Sequence, residues 1–199
     1  MKVMILVLSS KESCNLLNGD LSVLIRKKFP KDYVGWVYTY VAKNSKKGLV
    51  HHIKCAYNDY GWDEDFVEFE EIPIDKVWPG CELNGKVVAR FWCDKVERLY
   101  EYQVDGYGSE YEIASDTLKQ EELLKECCLT YDQLSDYLGD INNGYAIHIT
   151  KLEIFNKPKE ISEFIFLKKN VVIDGVKNLF YATRLTRAPR SGWCYIEEK

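Results

Sequence analysis

Apolar and polar positions follow one another along this chain in short runs of distinct period. Val3–Leu8 is continuously apolar, which predicts a buried strand. Ser9 followed three residues on by Glu12 predicts a capping box and a short helix, closed by Gly19. Leu21–Lys27 and Gly35–Ala42 are rich in β-branched and aromatic residues and read as strands, with Pro30 and Asp32 in the connection. Asn44–Lys47 is polar and reads as a loop. Gly85–Leu99 and Gly144–Phe155 carry strong strand patterns, and Phe180–Arg184 and Trp193–Ile196 supply shorter ones. Thr117–Glu126 and Tyr131–Leu138 read as helices. Thr130 and Gln133 form a second capping box, and Gly139 ends that helix. Pro158 predicts a brief helix from its first position. The chain shows no internal repeat.

This order, with single helices scattered among strands, predicts an α+β domain or a small barrel with helices at its ends. It lacks the regular strand–helix alternation of a doubly wound parallel sheet. With 199 residues and 46% hydrophobic positions, the chain has material for one full core. A formal charge of −4 argues against a protein that coats duplex DNA, while leaving room for a local basic groove.

Seven cysteines without a C-x-x-C pair do not make a disulfide framework. The six apolar residues after Lys2 are too short for a signal-peptide core or a membrane span. A reduced, cytoplasmic protein without membrane contact is expected. His51-His52-x-x-Cys55 has no second ligand pair at zinc spacing, so no metal is assigned, and no cofactor motif is present. His148 falls mid-strand between Ile147 and Ile149, where a hydrogen-bonded histidine on the polar face is expected. Cysteine catalysis would need a nearby histidine; Cys194 could approach His148 only if a barrel brings them together, nothing in the sequence shows that it does, and burial is its default reading.

Several stretches carry a resemblance when taken in order: residues 18–27, with Gly19-Asp20-Leu21-Ser22 leading to Arg26 and Lys27; Gly35–Tyr40; Gly85–Phe91; Gly144–Ile149 on through Lys157–Phe164; and Arg187-Ala188-Pro189-Arg190-Ser191-Gly192-Trp193-Cys194-Tyr195. Together they resemble the ASCH family, of bacterial or phage type, a branch of the PUA-like β-barrel superfamily. The resemblance implies one ASCH/PUA-like domain over 1–199, a β-barrel with short helices packed at its ends and insertions at about 45–80 and 168–180. It also implies a cleft that binds RNA, a nucleotide or a modified nucleoside. One enzyme branch of the family removes the acetyl group of N4-acetylcytidine with a lysine in the first motif. Here that lysine is replaced by Leu21, which can be neither nucleophile nor base.

The expected function is therefore an RNA- or nucleotide-binding module without the family's deacetylase chemistry, its catalytic residues unknown. Arg26, Arg187 and Arg190, with Lys27, would hold phosphate, since guanidinium groups pair with it bidentately. Ser22 and Ser191 would hydrogen-bond the ligand, and Tyr40 and Trp193 would stack on bases. Two other readings stand beside it. One is an RNA-processing enzyme, a ribonuclease or nucleoside amidohydrolase using other residues. The other is an accessory protein that captures a protein partner through Asp59–Glu71, where seven acidic residues crowd an aromatic-anchored, solvated excursion.

Overall fold

The computed structural model describes residues 3–43, 46–58, 61–104, 111–173, 176–190 and 192–197; within strands, the side chains at 55–58, 61–65, 167–173 and 176–183 fall outside that description. The fold is mixed α+β, as the pattern predicts. Its strands are β1 (Val3–Leu8), β2 (Val23–Arg26), β3 (Gly35–Val41), β4 (Lys47–Asn58), β5 (Gly61–Pro73), β6 (Lys86–Arg98), β7 (Tyr100–Gln103), β8 (Tyr111–Ala114), β9 (Tyr145–Glu160), β10 (Ile165–Ile173), β11 (Val176–Arg184) and β12 (Trp193–Glu197). The helices are α1 (Ser10–Leu17), α2 (Gln120–Glu126) and α3 (Tyr131–Leu138). No closed barrel is found among the described residues. No helix among them is long and apolar enough to cross a membrane.

The chain divides into two compact units. The first comprises Met1–Asn18, Trp36–Phe91 and Glu153–Lys199, and the second Gly19–Gly35 and Trp92–Leu152. The long strands β6 and β9 give residues to both.

In the first unit the strand order is β11-β10-β12-β1-β3-β6. β1 runs parallel to β3, with Ile5 opposite Tyr38, and antiparallel to β12, with Ile5 opposite Cys194. Its fully apolar sequence follows from burial on both faces. One core cluster gathers Val3, Ile5, Tyr38, Tyr40, Val87, Phe164, Leu185, Cys194 and Ile196. α1 starts at the predicted box: the Glu12 backbone N–H donates to Ser9 Oγ at 3.1 Å, and the Ser9 N–H donates to the Glu12 carboxylate at 2.8 Å. Gly19, at φ 84°, stands in the left-handed region just past the helix end, as expected of a closing glycine.

The acidic stretch departs from expectation. It is no irregular excursion: β5 pairs with β4 in a long antiparallel hairpin, with Ile53 opposite Val67 and His51 opposite Phe69. The cross-strand partners explain why so acidic a strand forms. Lys54 pairs with Glu68, Lys47 Nζ lies 3.1 Å from Glu71, and His52 Nε2 lies 3.5 Å from Glu70. The hairpin root is pinned by buried Asn84, which accepts from the Leu49 N–H at 2.8 Å and donates to Ser10 Oγ at 3.2 Å and the Lys47 carbonyl at 3.1 Å. The polar stretch before β4 is described only in part, and Lys47 is already in the strand.

Pro158 also departs from expectation. β9 continues through it to Glu160, and the helical turn is the three-residue Ile161–Glu163, capped reciprocally by Glu160 and Glu163. Proline's fixed φ suits an extended residue as well as a first helical one, so its sequence signal was ambiguous. The segments read as insertions hold the β4–β5 and β10–β11 hairpins.

In the second unit β2 pairs antiparallel with β9, with Val23 opposite His148 and Ile25 opposite Ala146, in the order β6-β9-β2. α2 and α3 supply Leu123, Cys127, Leu134 and Leu138 to a core that also holds Val23, Ile25, Leu99, Ile113, Ile141 and Ala146. Gly144 enters this core where a Cβ would lie 2.8 Å from both Leu138 Cδ1 and Leu99 Cδ1, so a larger residue would have to displace the ends of both leucines. The predicted Thr130–Gln133 box is formed at the start of α3. α2 begins later than the sequence suggests, at Gln120, with Thr117 lying before it and donating to Glu97.

Substituting Asn84→Ala strips the β4 root of three hydrogen bonds and leaves the buried Leu49 N–H without its acceptor. A loss of about 1–3 kcal/mol is expected in urea unfolding; an unchanged midpoint would remove Asn84 from this role.

Candidate functional site

Two clusters of chemistry emerge, one in each unit. In the first unit, β3 places Trp36, Tyr38 and Tyr40 two residues apart and hence on one face. Arg90 of β6 lies against the first two of these rings. Its guanidinium carbon is 4.3 Å from the Trp36 ring centroid and 5.8 Å from that of Tyr38. Its Nε donates to Glu153 at 2.7 Å and its Nη1 to the Tyr38 hydroxyl at 3.3 Å. Partial burial works against the Arg90 charge, but these bonds outweigh it and hold the proton more firmly than usual.

Lys159 approaches the same aromatic group, its Nζ 4.7 Å from the Phe155 centroid and 5.8 Å from that of Tyr38. Tyr38 packs on Phe155 and Phe164 with centroids 5.8 and 5.1 Å away. These residues, with Glu163 and Glu197, line a cavity of about 380 Å³. Cations held over ring faces gain from the ring quadrupole. The cavity is within the size range of small-ligand pockets.

In the second unit a buried carboxylate is the centre. Glu97 is 4% exposed. Its Oε2 accepts from Ser115 Oγ at 2.7 Å, Thr117 Oγ1 at 2.9 Å and His148 Nε2 at 2.9 Å, while Lys95 Nζ lies 3.0 Å from Oε1. Lys95 Nζ also donates to Thr117 Oγ1 at 2.8 Å. Burial alone would raise the Glu97 pKa, yet the bonds from Ser115, Lys95, Thr117 and His148 hold it down at about 2. So acidic a carboxyl is a poor general base. The arrangement suits a fixed negative anchor that orients His148 and Lys95. Beside it, Tyr100, Tyr102, Thr117 and Lys119 line a second cavity of about 440 Å³.

The sequence-predicted residues divide between the units. Ser22, Arg26 and Lys27 belong to the second, and Tyr40, Arg187, Arg190 and Trp193 to the first. The Ser22 hydroxyl donates to Glu126 at 3.2 Å, and its backbone N–H donates to the Glu126 carbonyl at 3.1 Å. Arg26 donates from Nη1 to the Ile25 carbonyl at 2.6 Å, and Lys27 Nζ lies 5.6 Å from the Tyr137 centroid. Leu21 is buried.

Tyr40 is core, 4% exposed, and burial, with Glu160 nearby, raises its phenol pKa. Arg187 and Arg190 are exposed. Trp193 is half-buried and packs edge-on against Tyr195 at 5.8 Å. Ser191 lies outside the described residues. Burial pushes the Cys194 thiol up to about 12, which removes it as a nucleophile at neutral pH. No group of His, Cys, Asp and Glu able to hold a metal occurs among the described residues.

Arg90, Lys159, Lys95 and Glu97 were not singled out in sequence. Lys95 and Glu97 had a readable signal, because they occupy the inward phase of a strand whose neighbours on that phase, Cys93 and Leu99, are core residues. Arg90 and Lys159 carried no comparable mark, since only the fold brings their strands together. No protein-family model matches the chain, and no curated protein matches it.

Because the folded-state pKa of Glu97 lies below the ordinary value near 4.5, its ionisation favours folding. That contribution is complete above the unfolded-state pKa and is lost as pH falls towards about 2. Glu97→Gln is expected to lose on the order of 3 kcal/mol at pH 7, with the gap to wild type narrowing below pH 4.5. Urea unfolding at pH 7, 4 and 3 measures it, and a gap that stays constant with pH contradicts the assignment.

Proposed function

We propose that this protein is an RNA- or nucleotide-binding module of ASCH type, with the PUA-like barrel of that family as its underlying architecture and a cytoplasmic site of action. The observation that carries the reading is the first-unit cavity, where Arg90 and Lys159 stand beside the half-buried Phe155 and the buried Tyr38, with Arg90 also over the neighbouring Trp36 ring. Aromatic faces beside fixed cations suit bases and their sugar–phosphate links. The exposed Arg187 and Arg190 in the same unit add positive charge for the backbone. Arg26 and Lys27 offer the same in the second unit.

The reading is of binding without the family's deacetylation, since Leu21 supplies no amine and is buried. Six free cysteines among the described residues fit a reducing compartment. The ordered stretches of sequence support the family relationship.

Titration with short single-stranded RNA, followed by tryptophan fluorescence, tests the proposal. Lys159→Ala is expected to weaken binding about 5- to 20-fold, the loss of one stacking or cation contact. Arg187→Ala is expected to weaken it less and to lower the salt dependence by about one counterion. Absence of binding to any RNA at low salt would overturn the reading.

A further inference from the structure

The charges around the first-unit cavity are unequally committed. Arg90 is tied to Glu153 and to the Tyr38 hydroxyl. One oxygen of Glu163 accepts from the Glu160 N–H at 2.7 Å. Lys159 and Glu197 differ from both. Among the described residues, neither the ammonium nor the Glu197 carboxylate has a hydrogen bond or ion pair, and the two do not pair with each other. The cavity therefore offers a ligand one donor head and one two-oxygen acceptor beside the half-buried ring of Phe155, with the buried Tyr38 and Phe164 behind it.

That inventory selects a ligand class. A phosphate group would gain Lys159 but would meet the carboxylates of Glu197 and Glu163 on the same walls, so an anion is disfavoured. A planar, uncharged ring with donors and an acceptor on one edge satisfies all three features. A carboxylate accepts best from two adjacent N–H groups. Among the four standard bases only guanine presents two such donors, its N1–H and 2-amino group, next to a carbonyl oxygen that an ammonium can reach.

Resting on the RNA-binding reading, we infer that the cavity is a guanine subsite in which Glu197 accepts from the N1–H and 2-amino group, Lys159 donates to O6, and the Phe155 ring packs on the base. Phosphates then lie outside the cavity. Uracil and adenine lack the paired donors, and cytosine offers a single amino group. Specificity on this view resides in Glu197, an exposed residue whose substitution leaves the core untouched.

The experiment is calorimetric titration of the whole chain with guanosine, inosine, adenosine, cytidine and uridine, with inorganic phosphate as the anion control. Guanosine is expected to bind at least about tenfold tighter than the others. Inosine, which lacks the 2-amino group, measures that contact alone. Glu197→Gln is expected to remove most of the preference, and Lys159→Met to weaken guanosine while circular dichroism stays unchanged. Equal affinity for all nucleosides, preference for another base, or a preference that survives Glu197→Gln would overturn the guanine assignment, whatever the RNA titration shows. Should single-stranded RNA also fail to bind, the broader reading falls with it; if RNA binds without guanine preference, only the subsite is lost.

Discussion

A buried charge must be neutralised where it sits, and Glu97 imposes that demand on the second unit. Taking a carboxylate out of water costs several kcal/mol, and Glu97 remains ionised because four side chains converge on it. They come from β6, from β9 and from the segment after β8. Meeting the demand fixes where that segment runs. Thr117 is held at the carboxylate, and α2 begins only at Gln120. The Leu118 N–H in turn donates to Ser115 Oγ at 3.1 Å, and the Ser115 N–H to the Leu118 carbonyl at 2.9 Å, closing the turn on itself. A single ionised group thus organises a connection that propensity alone would have made helical.

The first unit solves a different problem. Its polar groups lie among aromatic rings, and the guanidinium of Arg90 is held by a planar face, a carboxylate and a phenol at once. Such a group is rigid before any ligand arrives, which lowers the ordering cost of recognition. The uncommitted heads of Lys159 and Glu197 stand on that rigid frame. The β4–β5 hairpin shows the same economy in its ion pairs: the described acidic side chains face basic ones across the ladder, which leaves less negative charge for a basic partner than the sequence suggests.

Local signals were legible in sequence. The boxes at Ser9/Glu12 and Thr130/Gln133, the closing Gly19 and the apolar run of β1 are each set by residues within one turn or one strand. What escaped was set at long range. The acids of β5 are met by lysines and a histidine of β4 that reach them mostly on the diagonal of the ladder, a pairing that composition cannot reveal. The candidate site escaped in the same way. The sequence pointed to Arg26, Arg187 and Arg190 as phosphate holders, whereas the cations nearest the aromatic wall are Arg90 and Lys159, which only the fold brings together. Tyr40 has the right chemistry for stacking and the wrong burial.

Lys151 sits inside β9 at φ 47°, a left-handed conformation that a non-glycine side chain adopts at a cost of about 1–3 kcal/mol. An extended strand carries its two-residue phase from end to end, and this one residue interrupts it. Residues before Lys151, including His148, belong to the second unit, and those from Glu153 on, including Phe155 and Lys159, belong to the first. β9 reads as two words joined by a hyphen. One half of this single strand serves the carboxylate network and the other half the aromatic wall.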